Sequence, residues 1–132
     1  MKVAVVIVTY NGEDWLKACL QSVFKSTILL EVIVVDNHSN DGTLTILEGF
    51  ENITVLQQAS NLGFGAANNI GISLALQHEA DYVFLLNQDA YLEPTTIEYL
   101  IQAHQSHQSF GVLSPLHFNG NGTALDFNFS NY

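Results

Sequence analysis

Apolar positions along this chain follow two rhythms. Continuous short runs occur at Val3 to Val8, Leu30 to Val35, Ile53 to Leu56 and Tyr82 to Leu86, rich in β-branched and aromatic residues. Runs of this length without alternation predict strands buried on both faces of a parallel sheet. Between them the period changes. Trp15, Leu16, Cys19, Leu20, Val23 and Phe24 recur at spacings of one and four, which lines them along one stripe of a helix that Glu13 and Asp14 open at its positive end. Leu44, Ile46, Leu47 and Phe50 predict a short second helix over 43–50, and residues 66–78 predict a third. Pro94 stands near the start of a fourth, which runs to about His107; proline is tolerated in a first turn. Val112 to Leu116 predicts a fifth strand. The Asn-Gly-Asn-Gly turn at 119–122 predicts a short C-terminal β-hairpin between Leu116-His117-Phe118 and Leu125-Asp126-Phe127. Strands alternating with helices make this an α/β chain with a mostly parallel sheet and right-handed crossovers.

Composition narrows the function. The 132 residues suffice for one domain with a real core. Three lysines and no arginine stand against thirteen acids, for a net charge of −10. Nucleic-acid binding needs a basic face, and a polybasic membrane anchor needs a cluster of cations; the sequence has neither. An anionic ligand must therefore be held by backbone N–H groups, by Lys2, Lys17 or Lys25, or by a metal ion. The single Cys19 excludes a disulfide framework and a multi-cysteine zinc site, and its place on the apolar helix stripe makes it a core residue. No run reaches the ~18 apolar residues of a membrane span, and the amino terminus has no signal-peptide pattern. The chain reads as cytoplasmic, or as peripheral to the inner face of the membrane through parts outside it.

In an open α/β sheet, ligands bind beyond the carboxyl ends of the strands. Four polar segments occupy those positions. Thr9-Tyr10-Asn11 follows the first run and reads either as a plain turn or as the frame of a base or ribose. Asp36 ends the second run, as a loop cap or as an acceptor for a ribose or a base N–H. Asp41-Gly42 beyond it reads as a helix cap with a turn glycine. Gly63-Phe64-Gly65 with Asn68 approaches the dinucleotide fingerprint, but the third glycine is missing and the segment follows the third strand, which argues against an NAD site. Its glycines still let backbone approach a phosphate or sugar at a helix start. Asn87-Gln88-Asp89 ends the fourth run. A carboxylate at the mouth of a buried strand, beside two amides, suits Mg2+ or Mn2+ carried by two phosphates. His104 and His107 read as a solvated surface, and His117, after the fifth run, is a weaker candidate metal ligand.

Together these segments resemble the family 2 inverting glycosyltransferases of the GT-A fold. The pieces that carry the resemblance are Val5-Val6-Ile7-Val8-Thr9-Tyr10-Asn11, Val34 to Thr43 (Val-Val-Asp-Asn-His-Ser-Asn-Asp-Gly-Thr), Asn61 to Asn69 (Asn-Leu-Gly-Phe-Gly-Ala-Ala-Asn-Asn) and Leu85-Leu86-Asn87-Gln88-Asp89. Their order and spacing over residues 3–90 make the match specific. The Asn-Leu-Gly-Phe-Gly block, with Asn-Gln-Asp in place of Asp-x-Asp, looks most like the rhamnosyltransferase-like branch, whose members build bacterial surface polysaccharides.

The resemblance implies a Rossmann-like GT-A sheet and a set of roles. Thr9, Tyr10 and Asn11 would line the nucleotide pocket and Asp36 would bind the base. Gly63, Gly65 and Asn69 would lie near the nucleotide or donor sugar. Asn87 and Gln88 would contact the nucleotide sugar beside Asp89, the ligand of a Mg2+ or Mn2+ ion that bridges the diphosphate. The donor would be a UDP-, dTDP- or GDP-linked sugar, and the acceptor a glycan or a lipid-linked molecule. In the family the general base comes from the acceptor-binding half, after the fifth strand. Here the only acid beyond Glu98 is Asp126, with no motif around it. The chain is thus expected to be one nucleotide-sugar-binding domain without the acceptor-binding part, and an uncovered apolar face would favour self-association. The alternative is a module that binds the nucleotide or nucleotide sugar without chemistry. A nucleotidyltransferase ranks lower, because Thr9-Tyr10-Asn11-Gly12 lacks the cation such a loop carries.

Overall fold

A computed structural model describes residues 1–127. The elements run β1 (Val3–Thr9), α1 (Leu16–Val23), β2 (Glu31–Asp36), α2 (Thr43–Glu48), β3 (Ile53–Gln57), α3 (Phe64–Gln77), β4 (Tyr82–Asn87) and α4 (Thr96–Ser106). The four strands form one sheet in the order β3-β2-β1-β4, and every pairing is parallel. The chain divides into two compact units, Met1–Thr95 and the residues from Thr96 onward.

The first unit is built as the β-branched runs require. Each residue of β1 is buried, and β2 is buried from Val32 to Asp36. Alternate side chains on one face, Ala4, Val6, Val8, Ile33 and Val35, pack with Ala67 and Ala75 of α3. The opposite parity, Val5, Ile7, Val32 and Val34, is equally buried, as are Leu16, Cys19, Leu20 and Val23 of α1. Each fully buried aliphatic side chain contributes about 1.5–3 kcal/mol of transfer free energy, so this double-faced burial anchors β1 and β2 most firmly. Phe24, after α1, stacks on Phe50, after α2, with ring centroids 5.9 Å apart.

Register matters for function. Thr9 lies opposite Asp36, Val8 opposite Asn87 and Asp36 opposite Gln57. The carboxyl ends of the strands therefore finish level, and the loops that leave them share one rim. The amino end of the sheet carries ions instead: Lys2 Nζ is 3.2 Å from Glu31, His78 pairs with the same carboxylate, and Asp81 accepts from Lys2 N at 2.6 Å.

Three expectations need correction. The helix expected to open at Glu13 and Asp14 begins at Leu16, with no acid in its first turn; Glu13 instead accepts from Gly42 N at 3.0 Å, one residue before α2. The fifth strand over 112–116 does not form. Val112 and Leu116 are exposed, and Ser114 and Pro115 interrupt the run, proline lacking the N–H that a strand ladder needs. The expected C-terminal β-hairpin is reduced to a single antiparallel bridge, Phe118 with Leu125, supported by Asn119 N donating to Ala124 O and Asp126 N donating to His117 O. The last five residues lie outside the described residues. No helix among the described residues is long and apolar enough to cross a membrane.

Candidate functional site

The loops at the carboxyl rim are stitched together by side chains. After β1 the backbone turns at Asn11, whose φ of 48° is left-handed, a conformation that asparagine tolerates better than most residues. Asn11 N donates to Ser39 Oγ at 2.9 Å, and Asn11 Oδ1 accepts from Asn40 N at 2.9 Å. Gly12 N donates to Thr43 Oγ1 at 2.8 Å. The turn after β1 is thereby tied at several points to the loop after β2. Asp41 completes the tie: its carboxylate accepts from Thr43 N at 3.0 Å and from Glu13 N at 3.1 Å. Burial raises its pKa, but the hydrogen bonds from Thr43 and Glu13 outweigh burial and leave it lowered. The capping role expected for Asp41 is what the geometry shows.

Asp36 is the unusual member of this rim. It is fully buried. Its Oδ2 accepts from Ser39 N at 3.2 Å, while Oδ1 is buried and has no partner. A buried acceptor left unmade costs about 1–3 kcal/mol, so such an atom calls for an explanation. His38, two residues on, is held at a left-handed φ of 73°, a strained conformation of the kind that gathers at functional sites.

Across β1 lies the turn after β4. Gln88 Oε1 accepts from Thr9 Oγ1 at 2.7 Å and from Tyr10 N at 3.0 Å. Asp89 follows in the turn closed by Ala90 N and Asn87 O. Asn87 and Asp89 are exposed. Beneath them Cys19 Sγ donates to Asn87 O at 3.6 Å. Burial, and secondarily the charge of Asp89, push the Cys19 thiol up to about 12, so it is a neutral core group at physiological pH.

No hydrogen bond or ion pair among the described residues engages the Asp89 carboxylate, and no group of three or more His, Cys, Asp or Glu there could hold a metal by itself. One open carboxylate beside an amide does not fit zinc, which takes most of its ligands from protein. It fits Mg2+ or Mn2+, hard ions that keep water and share a ligand's phosphates.

The glycine-bearing loop is positioned by Asn37, which the sequence reading passed over. Asn37 is buried. It donates through Nδ2 to Asn61 Oδ1 at 2.9 Å and accepts from Leu62 N at 2.8 Å; Asn61 Oδ1 also accepts from Gly63 N at 2.9 Å. The available signal was an asparagine directly after the strand-ending aspartate. Gly63 takes φ +83°, and a side chain added at Gly63 or Gly65 would point into open space. Both glycines thus leave the mouth of α3 unobstructed.

Not every expected residue joins this cluster. Asn69 lines an open groove of about 400 Å3 with Leu56, Ile70, Ser73, Leu74 and Gln77, on the β3 side of α3. His117 belongs to the second unit, where its Nε2 is 3.4 Å from Ser114 Oγ. Thr9, Tyr10, Asn11, Asp36, Gln88 and Asp89 are the residues brought together along the rim.

This geometry can be compared with known proteins. The Glycosyl transferase family 2 model matches residues 4–128. The chain belongs to that family. A relative, the poly(ribitol-phosphate) beta-glucosyltransferase of Bacillus spizizenii, is 34% identical over 100 residues, covering 70% of this chain and 15% of its own. Staphylococcus aureus TarS, solved in complex with UDP-GlcNAc, superposes with a TM-score of 0.72 at 30% identity, over 82% of this chain and 32% of that one. A mannosyltransferase from Pyrobaculum calidifontis, solved with GDP-Man and Mn2+, shares the fold with a TM-score of 0.67 at 23% identity, over 78% of this chain and 32% of that one. The family 2 chain described here thus spans a third or less of the length of these relatives.

Proposed function

We propose that this chain is the nucleotide-sugar-binding part of a metal-dependent, inverting glycosyltransferase. The sugar would pass from a UDP-, dTDP- or GDP-linked donor to a glycan or lipid-linked acceptor in bacterial surface polymer synthesis. The observation that carries the reading is the buried, unpartnered Oδ1 of Asp36, aligned on one rim with the exposed carboxylate of Asp89. Adjacent strands lie about 4.8 Å apart, so the ends of β2 and β4, two spacings apart, are separated by roughly 10 Å. That is the reach of a nucleotide from its base to its phosphates. Family membership and the UDP-GlcNAc complex of the TarS relative support the same ligand class.

The roles proposed are those the family resemblance implies, and the rim geometry supports them. Asp36 Oδ1 accepts an N–H of the base, which removes the cost of its burial. Thr9, Tyr10 and Asn11 frame the nucleoside from the neighbouring strand end. Gly63 and Gly65 leave backbone open to the donor at the start of α3, and Asn69 extends that helix surface. Asp89, with Asn87 beside it, would hold Mg2+ or Mn2+, which when bound supplies Lewis-acid stabilisation of the departing diphosphate. With no arginine in the sequence, the ion held by this carboxylate would take the part that a cationic clamp plays elsewhere. An acceptor hydroxyl would need a general base.

The test is a titration of UDP, dTDP and GDP with and without Mn2+. One nucleotide is expected to bind more tightly with the ion. Asp89→Ala should remove the metal dependence, and Asp36→Ala should weaken binding with or without metal, by about 10-fold or more for a lost hydrogen bond to a charged group. Failure of a folded wild-type chain to bind any of the three overturns the reading. A second reading is a binding module without chemistry. Mn2+-dependent hydrolysis of the donor, followed by release of free sugar, decides for the enzyme.

A further inference from the structure

We infer that Gln88 is a positioning residue, which locks the turn after β1 to the turn that carries Asp89 and so fixes the distance between the two halves of the donor site. The inference rests on the donor-site reading above. It concerns how the site is held, and it reassigns Gln88 from ligand contact to support.

The hydrogen-bond inventory of the amide makes the case. A glutamine oxygen has two lone pairs and its nitrogen two N–H groups. Both lone pairs are occupied, one by Thr9 Oγ1 at 2.7 Å and one by Tyr10 N at 3.0 Å. One N–H donates to Tyr10 O at 3.3 Å. Gln88 therefore clasps both backbone groups of Tyr10, which also fixes the orientation of the amide. Little of it remains to offer a ligand.

Gly12 is an independent observation of the same lock. It is buried, and a Cβ there would lie 2.4 Å from Gln88 Oε1 and 2.6 Å from Thr9 Oγ1. Its backbone φ is not left-handed, so glycine is needed for room and not for conformation. The space it leaves is the space the Gln88 amide fills. From the other side, Cys19 Sγ holds Asn87 O, so the strand end beneath the turn is fixed as well.

The lock has a measurable consequence. The nucleoside half of a donor meets the rim at Asp36 and the Thr9–Tyr10 turn, and the diphosphate half meets it at Asp89. Each half keeps its own contacts when the lock is broken, but the two lose their fixed separation. What should fall is the affinity gained when diphosphate and Mn2+ are added to the nucleoside.

Two variants break the lock from opposite sides. Gln88→Met keeps the side-chain length and removes the hydrogen bonds; Gly12→Ala pushes the amide out of place. The full chain is titrated with the nucleoside alone and with its diphosphate plus Mn2+, using the base the wild-type protein selects. In each variant the gain from diphosphate and Mn2+ is expected to fall about 10-fold or more, as for lost supports of metal ligands, a larger loss than either variant shows for the nucleoside alone. The double variant Gly12→Ala/Gln88→Met should be no worse than the weaker of the two single variants, because both break one contact. A gain that survives in Gln88→Met overturns the inference alone. Loss of nucleoside binding in the folded Gln88→Met also overturns it, by making Gln88 part of the nucleoside site. A wild-type chain that binds no nucleotide overturns the donor-site reading and this inference with it.

Discussion

At the scale of single residues, Asn11 and His38 carry left-handed backbone on the carboxyl rim, and one further left-handed residue, Glu79, lies elsewhere. Glu79 takes a left-handed φ of 61° just beyond α3. Glu79 N donates to Leu76 O and Ala80 N to Ala75 O, the pattern of a helix that ends through a left-handed residue, a position where glycine is favoured. A side chain in that conformation costs roughly 1–2 kcal/mol, and nothing at this end of the sheet uses the strain. Glu79→Gly is expected to stabilise the chain by about 1 kcal/mol, after the added freedom of the unfolded glycine is deducted. A higher urea midpoint with an unchanged slope would show it. Residue roles were legible where they depend on neighbours in sequence. Asp36 was visible as a strand-ending acid, and Asp41 as a cap for Thr43. The orphan oxygen of Asp36 was not visible, because it depends on burial from several strands. Nor was the part played by Gln88, whose partners Thr9 and Tyr10 lie 79 and 78 residues away.

At the scale of elements, α3 is set by small residues. Ala67, Gly71 and Ala75 follow one another at spacings of four, and all three are buried. They let the helix approach the sheet closely. A Cβ at Gly71 would lie 2.3 Å from Val6 Cγ1 and 3.2 Å from Val35 Cγ2. These atoms sit on short, stiff side chains inside the core, so helix or sheet must move. Overpacking of this kind costs about 1–3 kcal/mol, against about 1 kcal/mol regained from alanine's helix propensity. Gly71→Ala is therefore expected to lower stability by about 1 kcal/mol or more, read as a lower thermal midpoint. The same elements show what pattern reading can and cannot reach. The runs of β1 and β2 announced themselves because burial on both faces demands continuous apolar sequence; β4, at the sheet edge, was legible by its apolar run although it is buried only at Leu86. Residues 112–116 are interrupted by Ser114 and Pro115, proline lacking the N–H that a ladder needs, and Val112 and Leu116 are exposed. Composition supplies a candidate strand, but only a partner strand and a covering layer make one.

At the scale of the whole molecule, the sheet is fastened differently at its two ends. The carboxyl rim is joined by amides, hydroxyls and carboxylates bonded to backbone N–H groups. The amino end is joined by Lys2, Glu31, His78, Asp81 and the terminal amine. Glu31 is central there. Burial raises its pKa, but the bonds and charges of His78 and Lys2 outweigh burial and leave it lowered. A carboxylate with a depressed folded pKa contributes stability above its unfolded pKa, and that contribution is lost as pH falls through the folded value. The stability of wild type minus that of Glu31→Gln is therefore expected to be greatest at neutral pH and to shrink below about pH 4, the ordinary range for glutamate. Urea titrations at stepped pH test this. A difference that grew on acidification would contradict the assignment.

That division makes ionic strength a selective handle. The charges at the amino end are partly exposed, and interactions between such charges weaken as the screening length shortens from about 8 Å at 0.15 M salt to about 3 Å at 1 M. The short bonds of the carboxyl rim do not join opposite charges and feel this far less. Added salt would loosen the foot of the sheet while leaving the hydrogen-bonded geometry of the rim in place, so the stability of the frame can be varied in one unmodified protein without rearranging the loops it carries.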